Sequence, residues 1–89
     1  MNNHDIPSPL ALYLQKHHKI TASDIGRKMS KRLGREVSTA SMSQWWSGAR
    51  EPGPLEQEAM MVATSGGVRP GQWHRWKVRI ARAAMKAEQ

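Results

Sequence analysis

The segment Thr21 to Gly48, TASDIGRKMSKRLGREVSTASMSQWWSG, reads as two helices separated by a turn, and it limits the fold more than any other part of the chain. Thr21 and Asp24 form the pattern of a capping box, with Asp where Glu is usual. Behind them Ala22, Ile25, Gly26, Met29 and Leu33 fall on one helical face, while Arg27, Lys28, Lys31 and Arg32 lie away from it. Gly26 costs this helix about 1 kcal/mol relative to Ala, and close approach of a neighbouring helix is the expected compensation. Gly34 is placed to stop the helix with a left-handed residue. Ser38 then caps a further helix, ended by Gly48. At 100° per residue, Met42, Trp45 and Ser41 share one side of that helix. Thr39, Ser43, Ser47, Ala40 and Gln44 form a contiguous arc on the other, with Trp46 at the border.

The flanks are helical as well. Ser8-Pro9 is a helix start, followed by Leu10, Tyr13, Leu14 and His17 at helical spacing. Pro54 opens a fourth helix with Leu55, Ala59, Val62 and Ala63 expected inward, and Ser65-Gly66-Gly67 stops it. Of Met60 and Met61, one is expected in the core and one exposed, or else they form part of a subunit contact. A last helix begins near Pro70, with Trp73, Trp76, Ile80 and Ala84 on its apolar side and Arg75, Arg79, Arg82 and Lys86 in a stripe opposite. Val37 and Val68 are isolated and make no strand. The expected fold is all-α, one domain of about five helices. Residues 1–7 read as a flexible arm, 8–68 as a helix-turn-helix unit, and 69–89 as a basic amphipathic helix serving dimerisation or DNA backbone contact.

Charge narrows the partners. The 89 residues carry 14 Lys and Arg against 7 acids, a net charge of +7. Such a field attracts polyanions. One basic cluster spans Arg27 to Arg35 and another Arg69 to Lys86, with no acid between positions 69 and 86. There is no cysteine, which removes disulfides and thiolate metal sites. No stretch approaches the ~20 apolar residues of a membrane span, and MNNHDIPSP is not a signal peptide, so a cytoplasmic protein is the default. His4, His17, His18 and His74 lack ligand spacing, so no metal or cofactor is expected. No serine sits in a nucleophile elbow and no glycine loop fits a phosphate cradle, so the chain does not read as an enzyme.

The pattern from Thr21 to Gly48 resembles the Cro/repressor class of helix-turn-helix regulators of phages and bacteria. Thr21, Ile25 and Gly26 match the first motif helix; Ser38, Ser41, Met42, Ser43, Trp45 and Gly48 match the recognition helix. The downstream TSGGVRPGQW is similar to the tail of small YdaS-like regulators, and the resemblance covers about residues 10 to 73. The turn between the helices, Ser30 to Val37, is about six residues longer than usual, and an extended second helix is the expected way to absorb it.

The resemblance implies that helix 38–47 lies in the major groove, whose donors and acceptors distinguish all four base pairs. Gln44 is the best base reader, since its amide can pair with adenine; Thr39, Ser43 and the Ala40 methyl accompany it. Lys28, Lys31, Arg32, Arg35, Ser38, Ser47 and Arg50 are the candidates for phosphate. Trp45 and Met42 belong to the core. One short recognition helix offers little surface, so a homodimer on a pseudo-palindromic operator is expected, with half-sites about 34 Å apart. Trp73, Trp76 and Ile80 are the candidate dimer contact. The expected function is a sequence-specific repressor. Two alternatives stand beside it: a DNA-binding antitoxin with a protein partner, and a charge-driven, non-specific nucleic-acid binder.

Overall fold

The computed structural model describes residues 6–87. They form five α-helices: α1 (Pro9–Lys16), α2 (Ala22–Leu33), α3 (Thr39–Ser47), α4 (Pro54–Ala63) and α5 (Pro70–Ala87). No strand occurs among the described residues, and no helix there is long and apolar enough to cross a membrane. The chain is all-α.

The helix ends form as their residues dictate. The Ser8 hydroxyl accepts from the Ala11 amide at 3.1 Å to start α1. At α2 the Thr21 hydroxyl accepts from the Asp24 amide, and the Asp24 carboxylate accepts from the Thr21 amide, a complete capping box. These bonds satisfy donors that the first turn leaves without intrahelical partners. Gly34 ends α2 at φ 70°, so the additional residues of the motif lengthen α2 to Leu33, whose side chain packs against the core. Ser30 then holds the long turn: its hydroxyl donates to the Gly26 carbonyl at 2.8 Å and accepts from the Val37 amide at 2.9 Å.

Leu10, Ile25, Met29, Met42, Trp45, Ala59, Met60, Val68, Trp73 and Trp76 make one core drawn from all five helices and the turn before α5. α2 lies between α3 and α4 and packs most extensively on α4. Gly26 faces Met42 across the α2–α3 contact: a Cβ there would sit 3.4 Å from Met42 Cγ. Thr64 fixes the turn before α5, donating to the Met60 carbonyl at 2.8 Å and accepting from the Val68 amide at 3.0 Å.

Three expectations need correction. On α4 the inward residues are Ala59, Met60 and, in part, Ala63, while Leu55 and Val62 are 66% and 50% exposed. The helix is rotated so that Met60, fully buried, joins the core. A long flexible side chain fills an irregular gap better than Val62 would. Met61 is half-buried. Trp73 and Trp76 are buried in the core of a single chain, 1% and 6% exposed, with their rings edge-to-face at 5.7 Å. Both indoles are spent mostly inside their own chain, and of the three expected dimer residues Ile80 is half-buried. The same two tryptophans tie α5 to the rest of the core. Finally, of the expected arm 1–7, residues 1–5 lie outside the described residues. Ile6 packs against the core and its carbonyl accepts from Trp76 Nε1 at 3.1 Å.

Candidate nucleic-acid interface

α3 is held by one face and open on the other. Met42 and Trp45 are buried, whereas Thr39, Ala40 and Ser43 are exposed and Gln44 half-buried. Both ends of the helix are fixed. At the start, the Ser38 hydroxyl accepts from the Ser41 amide at 3.0 Å. At the end, Gly48 adopts φ 85° and closes the helix onto the Gln44 carbonyl. The Ser8 hydroxyl also donates to the Trp46 carbonyl at 2.9 Å, binding the last turn of α3 to α1. The small-residue face therefore rests on a helix with little freedom to rotate.

A groove of about 830 Å³ runs between α2 and α3. Ser23, Arg27 and Lys31 line it from α2; Thr39, Ser43 and Trp46 line it from α3, with Gly26 and Met42 beneath. Thr39, Ser43 and Trp46 recur at spacings of four and three, so one strip of α3 faces the cations of α2. Trp46 is 51% exposed. In the helical pattern it sits at the border of the two faces, where no role attaches to it. Its signal is visible afterwards in the two adjacent tryptophans, because neighbours 100° apart on a helix cannot both be buried on a narrow face.

The candidate base readers Thr39, Ala40, Ser43 and Gln44 lie on the open side of α3. Gln44 is more ordered than an exposed amide alone would be. Its Oε1 accepts from Arg50 Nη1 at 3.2 Å, and its carbonyl accepts from the Arg50 amide at 3.3 Å. Arg50 thus orients the Gln44 amide and occupies one of the two lone pairs on its oxygen. The other lone pair and the NH2 group stay open to a base edge.

The seven candidate phosphate residues separate into groups. Arg32 Nη2 lies 2.7 Å from Glu58 Oε1, and Arg35 Nη2 lies 3.1 Å from Glu56 Oε1. Both pairs bridge the end of α2 to α4. The hydroxyls of Ser38 and Ser47 are engaged within α3 and its cap. Lys28 and Lys31 are exposed and take part in no salt bridge among the described residues, and Arg50 has only its bonds to Gln44. The free positive charge on this side is therefore carried by Lys28, Lys31 and Arg50. Arg27 pairs with Asp24. The Asp24 carboxyl is held below the usual carboxylate range, first by the hydrogen bond from the Thr21 amide and then by the Thr21 hydroxyl and the charges of Arg27 and Lys28.

Comparison with protein-family models, with curated proteins and with solved structures finds no match. The functional reading rests on the residues and their arrangement.

Proposed function

We propose that this chain is a sequence-specific binder of double-stranded DNA that regulates transcription from the cytoplasm, with α3 entering the major groove. The observation that carries the reading is the exposed arc Thr39, Ala40, Ser43 and Gln44 on a helix whose opposite face is anchored by Met42 and Trp45. Short side chains allow close approach of the backbone to the bases, and an oriented Gln44 supplies a donor–acceptor pair suited to adenine. Lys28, Lys31 and Arg50 neutralise phosphate and set register. Trp46 adds apolar area to the same strip and is suited to meet a thymine methyl or a sugar at the edge of the groove. Repression through occupancy of a two-half-site operator by a dimer completes the proposal. The second copy would be met by surface other than Trp73 and Trp76.

A second reading is favoured by Arg75, Arg79, Arg82 and Lys86, all exposed on α5: binding driven by charge without sequence preference. One experiment separates the two. Affinity is measured at about 150 mM salt for the duplex upstream of the chain's own gene and for a scrambled duplex. A preference of about a hundredfold or more supports specific recognition, and Gln44→Ala should then cost about 1–3 kcal/mol on that duplex and relax preference at one base pair. Equal, salt-sensitive affinity for both supports the charge-driven reading.

A further inference from the structure

We propose that the groove between α1 and α5 is a docking site for an acidic peptide segment with an apolar anchor, presented by a partner protein. The groove encloses about 340 Å³. Leu12 and Tyr13 form most of its apolar part above the largely buried Trp76, and Lys16, Arg75 and Arg79 line it as well. Leu12 is among the large apolar residues left exposed, at 39%. No acidic residue lines this groove, and none of its three cations joins a salt bridge among the described residues. The salt bridges among the described residues lie outside it: Asp24, Glu51, Glu56 and Glu58 each hold an Arg or Lys. Three unpaired cations thus stand at an opening that holds no acid and in which an apolar surface also lies open.

The walls are preformed. Trp76 Nε1 donates to the Ile6 carbonyl, and Ser8 caps α1, so the segment carrying Pro7 and Pro9 is fixed along one side. Tyr13 is stacked with His17 at 4.1 Å and packs so closely on Gly67 that a Cβ at residue 67 would collide with the ring. A rigid groove lowers the ordering cost of binding. Its chemistry also selects among anions. The Tyr13 ring is engaged by His17 and Gly67, and Trp76 is only 6% exposed, so neither offers the open face on which a base stacks. A duplex backbone is convex and polar and would leave the apolar part of the groove unfilled. A peptide with one apolar side chain between carboxylates fills the groove and meets its rim. The site shares no lining residue with the α2–α3 groove, so it does not depend on the DNA reading.

The test uses the full chain, 15N-labelled, titrated with two synthetic peptides of Glu and Asp that differ only in a central Leu or Ser. Shifts confined to the amides around Tyr13, His17, Gly67 and Arg75 are expected with the Leu peptide, with affinity about tenfold higher than for the Ser peptide. The double variant Arg75→Glu/Arg79→Glu should lower that affinity at least about tenfold while leaving the remaining amide spectrum in place. Equal response to both peptides, or shifts spread over the basic surface, overturns the proposal in favour of unspecific charge. So does displacement of the Leu peptide by a random duplex acting on the same amides, which makes this a nucleic-acid face. Self-association abolished by the double variant overturns it in favour of a second copy of this chain, and absence of any shift in the groove overturns it outright. Failure of the DNA reading appears separately, as unmoved amides in α3 on addition of the upstream duplex.

Discussion

The Trp76 ring fills the space that a side chain at Gly48 would need: a Cβ there would lie 2.8 Å from Cζ2 of the indole. Gly48 also sits at φ 85°. The end of α3 is therefore seated on α5, and the helix proposed to read DNA takes its position from a tryptophan on the last helix.

Gly48→Ala carries two penalties, left-handed backbone for an L-residue and collision with a buried ring. They should sum to about 2–4 kcal/mol of lost stability. Urea unfolding of the variant measures it. A loss below about 1 kcal/mol would mean that Trp76 can move aside.

Gly26→Ala should behave in the opposite way. The added methyl meets Met42 Cγ at 3.4 Å, an ordinary contact with a flexible side chain, and φ there is not positive. Helix propensity favours Ala by about 1 kcal/mol, so the variant should be neutral or more stable by up to that amount. A marked loss would show that the α2–α3 approach is rigid.

Trp45 and Trp46 are adjacent in sequence and should separate in assay. Trp45→Ala empties a core position and should destabilise by about 3–5 kcal/mol. Trp46→Ala should leave the melting transition within a few degrees of the parent and weaken binding to the preferred duplex. Unchanged duplex affinity in a folded Trp46→Ala protein would remove Trp46 from the interface.

The cations of α2 should contribute unequally to salt dependence. Replacing Lys28 or Lys31 by Ala should reduce the slope of log affinity against log salt by about one each. Arg32→Ala and Arg35→Ala should change the slope less, because their guanidiniums are paired with Glu58 and Glu56. The first pair is exposed and the second partly so, and each contributes at most about 1 kcal/mol to stability. Equal slopes for all four variants would mean that DNA draws the arginines off α4.

Asp24 ties stability to acid. Its folded-state pKa is lowered, so the stabilisation is present above the ordinary carboxyl value, about 3.9, and is lost as pH falls through the lower folded value. The start of α2 should fray over that range, seen as faster amide exchange at Ala22 to Ile25, and Asp24→Asn should weaken the dependence. A profile identical to the parent's would assign the acid response to other carboxyls.

The features legible in the sequence were those decided by a few neighbouring residues. Ser8, Thr21 with Asp24, and Ser38 cap the helices they precede, and Gly34 and Gly48 end theirs, because each feature is set within one turn of chain. The lengthened α2 and the Gly26 contact were legible for the same reason. The rotation of α4 was not. Leu55, Ala59, Met60 and Val62 allow two apolar faces, and only the fit of Met60 against distant residues selects one. The fate of Trp73 and Trp76 also depended on what α5 meets, since an amphipathic helix shows the same pattern whether it covers its own chain or another. At the interface the open arc of α3 was legible. The capture of Arg32 and Arg35 by α4, and the orientation of Gln44 by Arg50, come from partners that no local pattern reveals.

The residues ahead of α1 work as a clasp. Ile6 receives the indole N–H of Trp76 and Ser8 grips the Trp46 carbonyl, so a few residues buckle the last helix and the third to the first. For protein engineering this sets a working limit. A handle or fusion belongs upstream of Ile6, and a trimmed chain beginning at Leu10 would leave the part-buried indole N–H of Trp76 without its acceptor and unlatch the end of α3 whose placement the proposed DNA reading requires.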